Sequence, residues 1–230
     1  MYKYEMHLHT SWCSGCAVST GREYVLDAKE KGYTGIILTN HFYHGNTCID
    51  RKIPWSDFAQ AYKDDYLAAK KAGDEYGIEV LFGLEEGYGG GKETLIYGID
   101  PDLIINTPEF QHMNIDEMSA FVRANGGFIA CAHPFRARGY ITDPRKEPNA
   151  EIFDAVESYN VGNTEEDNEL AEEFCKKTGL PRISGGDVHS TNGFGRAGLA
   201  FYERITTNEQ LVEALKQGNY KLIINGEIEE

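Results

Sequence analysis

Short apolar segments alternate with amphipathic helical segments along the whole chain. Residues 35–39 form an apolar run of strand length, and apolar side chains recur at helical spacing between residues 58 and 76. About six or seven such strand–helix pairs follow one another, which predicts a mainly parallel α/β sheet. A barrel and an open doubly wound sheet both have this order. The turn after the first strand, residues 9–13, has no glycine, which argues against a dinucleotide-binding open sheet.

The predicted elements cover the chain without a linker or an internal repeat. Helices are expected to begin at five capping residues: Thr20, Ser56, Asn114, Thr164 and Thr207. Strands are expected at nine apolar segments: 2–9, 35–39, 79–84, 94–99, 128–132, 154–157, 181–184, 198–202 and 220–224. We therefore expect a single domain over residues 1–230.

Composition excludes several classes of protein. The net charge of −15 argues against extended binding to a nucleic-acid backbone. The five cysteines are dispersed and odd in number, which argues against a disulfide framework. The N-terminus has no secretion-signal pattern, and no apolar run is long enough to cross a membrane. These features predict a cytoplasmic protein, and they say nothing about its oligomeric state.

Histidines and carboxylates follow the predicted strands. His7 and His9 lie at i and i+2, so they point to the same face of an extended segment. Alone, this pair is weak evidence for a metal site. Five more candidate ligands come at or just after the ends of later strands: His41, Glu85, His133, Asp187 and His189. In a β/α barrel these strand ends meet at the active-site face.

The residue types indicate divalent metal ions. Imidazole and carboxylate together suit Zn, Mn or Fe, and a carboxylate can bridge two cations. Paired cations clamp the attacking and leaving oxygens of a phosphoryl transfer. The pattern therefore predicts metal-assisted chemistry at one end of the sheet.

Five short motifs occur in a recognisable order. They are His-x-His at 7–9, Thr-Asn-His at 39–41, Gly-Leu-Glu at 83–85, His-Pro at 133–134 and Gly-Asp-x-His at 186–189. This order resembles the PHP family, named for its polymerase and histidinol-phosphatase members. The resemblance implies a distorted (β/α)7 TIM-like barrel with two or three divalent metal ions at its C-terminal face. It also implies hydrolysis of a phosphate ester by a metal-bound hydroxide, by a phosphatase or phosphodiesterase.

The resemblance also assigns ligands. It implies a first metal held by four residues: His7, His9, Glu85 and Asp187. Glu85 would bridge to a second metal held by His133 and His112. A third metal would lie near His41 and His189.

Two positions depart from the family pattern and affect the third metal. Asn40 and Ser14 stand where the family often has acidic or histidine ligands. Cys13, Cys16 and His44 are alternative ligands, so either two or three metals are compatible with the sequence.

Substrate contacts are expected from basic residues near the motifs. Arg136 follows His-Pro, and Arg196 lies in a glycine-rich stretch, and a guanidinium matches phosphate oxygens. His189 or His41 could protonate the leaving group. The expected substrate is a small phosphomonoester or nucleotide, and loops 42–55, 88–93 and 135–149 are expected to set specificity.

Two other functions are compatible with parts of the pattern. Amidohydrolases also begin with His-x-His on a barrel strand and end with an aspartate, but the Gly-Asp-x-His ending favours the phosphoesterase. A non-catalytic metal-binding regulatory domain would be expected to have lost ligands, and nearly all candidates are present here.

Overall fold

Residues 1–229, which the computed structural model describes, contain ten strands and six α-helices. The strands are β1 (Tyr2–Glu5), β2 (Gly35–Leu38), β3 (Glu79–Gly89), β4 (Lys92–Tyr97), β5 (Phe128–Cys131), β6 (Ala155–Asn160), β7 (Arg182–Gly185), β8 (Ala197–Phe201), β9 (Tyr220–Ile224) and β10 (Glu227–Ile228). The α-helices are α1 (Gly21–Glu30), α2 (Trp55–Tyr76), α3 (Pro101–Ile105), α4 (Ile115–Ala124), α5 (Glu165–Thr178) and α6 (Asn208–Gln217). Short 3-10 helices cover Pro108–His112, Ala150–Ile152 and Thr191–Gly193.

All ten strands of the described chain join one sheet in the order β10-β9-β8-β1-β2-β3-β4-β5-β6-β7. The β1–β2–β3 and β5–β6–β7 pairs are parallel. β4 is antiparallel to both β3 and β5. The segment over 94–99 therefore forms a hairpin with β3, and it does not begin a further parallel strand–helix unit.

The sheet curls until the ends of β1 and β7 meet. Leu8 forms a parallel bridge with Val188, just beyond the two strands. The Val188 amide donates to the His7 carbonyl at 3.1 Å, and the His9 amide donates to the Val188 carbonyl at 2.9 Å. Strands β1 to β7 thus form the expected distorted (β/α)7 TIM-like barrel, while β8 extends the sheet by pairing antiparallel with the other side of β1.

Side chains cap four helices at residues that the sequence predicted: Thr20, Asn114, Thr164 and Thr207. The expected Ser56 cap is wrong. Helix α2 begins at Trp55 after Pro54, and it has no side-chain cap hydrogen bond. Pro54 supplies a restricted backbone at this position, so Ser56 lies inside the first turn.

Apolar residues of alternate strand positions fill the barrel beneath the C-terminal strand ends. They include Tyr4, Met6, Ile37, Leu81, Leu95, Tyr97, Ala130 and Ile183. The Tyr97 hydroxyl donates to the Met6 carbonyl at 3.0 Å, directly before His7. The buried layer therefore ends where the polar candidate ligands begin.

No helix among residues 1–229 is long and apolar enough to span a membrane.

Candidate metal centre

Four side chains meet at the C-terminal end of the barrel and are called the inner cluster: His7, Glu85, His133 and Asp187. Glu85 Oε1 lies 3.1 Å from His7 Nε2 and 3.0 Å from His133 Nε2. Asp187 Oδ1 lies 3.5 Å from His7 Nε2. His7, His133 and Asp187 lie two residues beyond β1, β5 and β7, whereas Glu85 lies within β3, bridged to His41 just after β2, so barrel closure brings them together.

His9 and His41 extend this arrangement toward the cavity. His9 Nε2 lies 3.1 Å from Asp187 Oδ1 and 3.5 Å from Glu85 Oε2. His41 Nδ1 lies 2.7 Å from the same Glu85 oxygen. The two oxygens of Glu85 therefore face different sets of imidazoles, as a bridging carboxylate would.

Several of these atoms are buried without a hydrogen-bond partner. They are His7 Nε2, His9 Nε2, His41 Nδ1 and Glu85 Oε2. Each lies within 3.5 Å of an atom of opposite polarity, yet the angles do not suit a hydrogen bond. Leaving buried polar atoms unpaired is costly. Nitrogen and oxygen atoms directed toward a shared point are the geometry of a cation site, so the donor set fits divalent metal ions.

The backbone is strained at two members of the inner cluster. His133 has φ of 28°, and Asp187 has φ of 49°. Non-glycine residues seldom adopt positive φ, and such conformations concentrate at functional sites. The strain turns both side chains from their strand ends into the cluster.

Glu157 holds the inner cluster from β6. Its Oε1 lies 2.8 Å from His7 Nδ1, and its Oε2 accepts the His133 amide at 3.0 Å. A carboxylate on Nδ1 fixes the tautomer and directs Nε2 toward the cation position. The sequence interpretation missed Glu157, because nothing local distinguishes it from other acidic residues at strand ends.

Mutual charge shifts the pKa values of this cluster. Burial alone would lower the pKa of His7, but the carboxylates of Glu157, Asp187 and Glu85 raise it well above its usual value. Burial opposes ionisation of Glu85 and Asp187, yet the neighbouring imidazoles, together with Arg136 at Asp187, hold both pKa values well below the usual range. The carboxylates are therefore ionised and available to a cation.

Comparison with known proteins identifies the fold. A family model described as PHP-associated matches residues 165–220. A two-domain protein from Bacteroides vulgatus, which contains a predicted PHP-like metal-dependent phosphoesterase, has a TM-score of 0.72 and 14% identity over 99% of this chain and 66% of that chain. A candidate metal-dependent phosphoesterase from Bifidobacterium adolescentis has a TM-score of 0.58 and 16% identity over 93% of this chain and 96% of the other. The chain has the PHP fold.

The PHP resemblance is thus confirmed by the family model and by the architecture. A Chromobacterium violaceum amidohydrolase with bound sulfate and no metal is also similar, with a TM-score of 0.53 and 12% identity over 82% of this chain and 88% of that chain. No protein of curated function matches the chain. At these identities the structural matches show the fold alone.

The PHP barrel places His112 away from the inner cluster. His112 is exposed on the 3-10 helix and lines a separate surface depression with Glu109 and Glu117. Glu93 of β4 lies at the cluster instead, with Oε1 at 3.3 Å from His41 Nδ1 and Oε2 at 3.6 Å from His133 Nε2. Geometry therefore supports Glu93 as the additional ligand in place of His112.

A second set of side chains lies nearer the surface and is called the outer group: Cys16, His41 and His189. The rings of His41 and His189 lie 4.3 and 4.4 Å from the ring of His9, which links the group to the inner cluster. Partial burial opposes ionisation of Cys16, but hydrogen bonding to the His189 and His41 imidazoles lowers the pKa of its thiol to about 6. The outer group therefore combines nitrogen and sulfur donors.

The two residues that depart from the PHP motif support the ligands from behind. Ser14 Oγ lies 3.2 Å from His9 Nδ1, and it accepts the His41 amide at 3.0 Å. Asn40 Oδ1 accepts the Thr10 amide, and its Nδ2 donates to Asp65. Both side chains are engaged in this buried network, which fixes the loops that carry His9 and His41.

The two candidate phosphate ligands lie in different places. Arg136 is buried beside the inner cluster, where Nη2 contacts Asp187 Oδ2 at 2.5 Å and Asn160 Oδ1 at 2.8 Å. Arg196 is exposed and lines another depression with Asn225. Only Arg136 of this pair borders the candidate metal centre.

A cavity of about 800 Å³ opens above the candidate metal centre. Its wall includes His41, His189, Arg136 and Asp187. The three loops predicted to set specificity all contribute to it, through residues that include His44, Asn46, Tyr88, Lys92 and Tyr140. The volume lies within the range of small-molecule sites.

Proposed function

We propose that the chain is a metal-dependent phosphoesterase that acts on a small phosphorylated substrate. One observation carries the proposal: four buried imidazole and carboxylate atoms, His7 Nε2, His9 Nε2, His41 Nδ1 and Glu85 Oε2, converge without a hydrogen-bond partner, beside an arginine in the wall of a cavity. A non-catalytic metal-binding domain would have no need for a substrate-sized cavity at these ligands. The PHP fold supports the same assignment, with the single domain and cytoplasmic location expected from the sequence.

The proposed ligands fall into three sets that share members. The first set is His7, His9, Glu85 and Asp187, and the second is Glu85, Glu93 and His133. The third set is His41 and His189, whose ligand atoms lie within 4.8 Å of a ligand atom of His9. Two or three divalent ions, Zn, Mn or Fe, suit these donors. When bound, such ions supply Lewis acidity and lower the pKa of coordinated water.

The chain's own groups would orient the ligands and the substrate. Glu157 keeps His7 in the tautomer that presents Nε2 to the cation. Arg136 lies against Asp187 and Asn160, so its guanidinium is held rigidly at the edge of the cavity. We propose that it binds phosphate oxygens and stabilises the charge that develops on them.

His189 is the proposed proton donor to the leaving group when the third cation is absent. Burial opposes protonation of His189, but Cys16 and Asp187 raise its pKa above the usual value, which favours the protonated ring. The ring lies in the cavity wall and is partly exposed. His41 is the second candidate for this step, since it lines the same wall.

A metal-reconstitution assay tests the function. The chelator-treated chain is supplied with Zn, Mn or Fe and assayed on p-nitrophenyl phosphate, on bis(p-nitrophenyl) phosphate and on a panel of acyl amides. We expect metal-dependent release of nitrophenolate that chelator abolishes. Turnover of amides without phosphoesters would favour the amidohydrolase alternative. Metal binding with no turnover of any ester or amide would favour the non-catalytic one.

A further inference from the structure

Cys16 occupies a place between two candidate ligands that come from different loops. All three residues line the cavity above the inner cluster. The thiol therefore lies in the same wall as the two histidines of the outer group.

The backbone holds Cys16 in this place from both sides. The Gly15 amide donates to the Asn46 carbonyl at 2.8 Å, in the loop that follows His41. The Val18 amide donates to the His189 carbonyl at 2.9 Å. Because these bonds lie one residue before and two residues after Cys16, its backbone position relative to both histidines is fixed by the fold.

The other candidates for an extra ligand have partners elsewhere. Cys13 is fully buried against Asp65, which together with burial raises the pKa of its thiol well above the usual value. His44 Nδ1 lies 2.5 Å from Glu86 Oε1, outside the candidate groups. Ser14 Oγ is engaged by His9, His41 and Asn40. Cys16 is the remaining candidate of this set, and it lines the cavity wall together with His41 and His189.

Independent geometry indicates that a cation belongs there. Ligand atoms of His9, His41 and His189 lie within 4.8 Å of one another. His9 Nε2 and His41 Nδ1 are buried without a hydrogen-bond partner. Because His9 Nε2 also faces Asp187 of the inner cluster, His41, His189 and Cys16 would supply two nitrogen donors and one sulfur donor here, and the fourth position of a tetrahedral site would stay open.

We infer that Cys16 supplies a thiolate ligand to the cation held by His41 and His189. This inference rests on the proposed metal centre and adds a sulfur donor that the PHP motifs do not include. A soft thiolate favours Zn, Fe(II) or Co over Mn and Mg. The outer cation should therefore differ in selectivity from cations bound by the inner cluster, where nitrogen and oxygen donors predominate.

Cobalt substitution tests the sulfur ligand without relying on activity. The full chain is freed of metal, loaded with Co(II), and compared with Cys16→Ser and Cys48→Ser. Cys48 is the matched control, since it is also an exposed cysteine and its thiol contacts the Trp12 carbonyl. We expect a near-ultraviolet sulfur-to-cobalt charge-transfer band in the wild type and in Cys48→Ser, and its loss in Cys16→Ser. Ligand-field bands from the inner cluster should persist in all three proteins.

The possible outcomes distinguish failure of the Cys16 ligand from failure of the proposed metal centre. Ligand-field bands without a charge-transfer band in the wild type would overturn the Cys16 ligand but not the metal centre. An unchanged charge-transfer band in Cys16→Ser would also overturn the Cys16 ligand but not the metal centre. A wild-type chain that binds no cobalt would overturn both. Loss of one bound zinc per chain in Cys16→Ser, with manganese binding retained, would support the inference.

Discussion

The inner cluster and the outer group differ in how the fold holds them. The inner cluster lies at the C-terminal end of the barrel, is buried, and is braced by Glu157 through two contacts. The outer group comes from loops, and the His189 side chain is 32% exposed. Barrel closure therefore fixes the inner geometry, whereas a few loop hydrogen bonds fix the outer one. We therefore expect substitutions in the barrel to disturb the inner cluster and substitutions in the loops to disturb the outer group.

Glu85→Gln should have the largest effect, because Glu85 contacts both regions. Its Oε1 faces His7 and His133, and its Oε2 faces His41. A neutral amide cannot bridge two cations, so we expect a loss of roughly 10³-fold or more in kcat/KM. Bound metal, measured by mass spectrometry, should fall in both regions.

Glu86→Gln is the matched control for this change. Glu86 is the neighbouring buried glutamate, and it accepts the His44 amide at 2.9 Å outside the cluster. An amide can keep that hydrogen bond, so metal content should be close to wild type. Equal metal loss in the two variants would contradict the assignment of Glu85 as the bridging ligand.

Arg136→Met should have the next largest effect and should act on substrate more than on metal. Loss of a preorganised charge at the phosphate costs about 100-fold in kcat/KM, or about 2.7 kcal/mol. Arg196→Met, at the exposed arginine, should leave kcat/KM unchanged. Steady-state kinetics and metal analysis of both variants measure the difference. A large metal loss in Arg136→Met would show that the arginine acts by holding Asp187.

Glu157→Gln should have a smaller effect confined to the inner cluster. Second-shell partners of this kind change metal affinity or activity by about 10- to 100-fold. Competition with a chromophoric chelator should show weaker binding of the inner cations, while the cobalt–sulfur band of the outer group persists. Equal weakening in both regions would contradict the separation of the two.

Metal binding should release protons, which is the smallest of the expected effects. In the metal-free chain, nearby carboxylates raise the pKa of His7 and of His41 well above the usual value, although burial opposes this. The raised pKa favours the protonated rings, which must lose a proton to bind a cation. Affinity should therefore fall as pH falls, and calorimetry in buffers of different ionisation enthalpy should detect the protons. No buffer dependence would contradict these pKa shifts.

The stability of the metal-free fold should have the opposite pH dependence to metal affinity, because the same protons are linked to folding. A histidine pKa raised above its unfolded value of about 6.5 contributes stability that is fully present below that value. That contribution is lost as pH rises through the raised pKa. Acid should therefore favour the metal-free state and alkali the metal-bound state, within the limits set by the other titrating carboxylates.

Sequence predicted that four of the candidate ligands would lie close together, because a polar residue of the right type after an apolar run is a local signal. His7, Glu85, His133 and Asp187 each follow an apolar run, and the barrel brings them together. Glu93 was missed for a topological reason. Residues 89–91 are three glycines with positive φ that turn β3 into β4. If this turn is interpreted as a hairpin, β4 begins at the end of the sheet where the candidate ligands lie, and Glu93 is expected near Glu85.

His112 and Glu157 are two residues whose place relative to the site cannot be predicted from local sequence patterns. His112 lies in a polar connection with no strand to fix its direction, so order along the chain was its only support. Glu157 owes its role to His7, which is 150 positions away. Such a contact depends on how the sheet curls, and no spacing within β6 encodes it.

The bridge between Leu8 and Val188 has a consequence for folding. It joins the first and seventh strands, and the nearby Gly186 amide donates to a Glu5 oxygen 181 positions earlier. Contacts of such long range form late, since they require ordering of the intervening chain. A partly synthesised chain therefore holds histidines without the aspartate that completes their cation site. Loading with metal would then mark the end of folding.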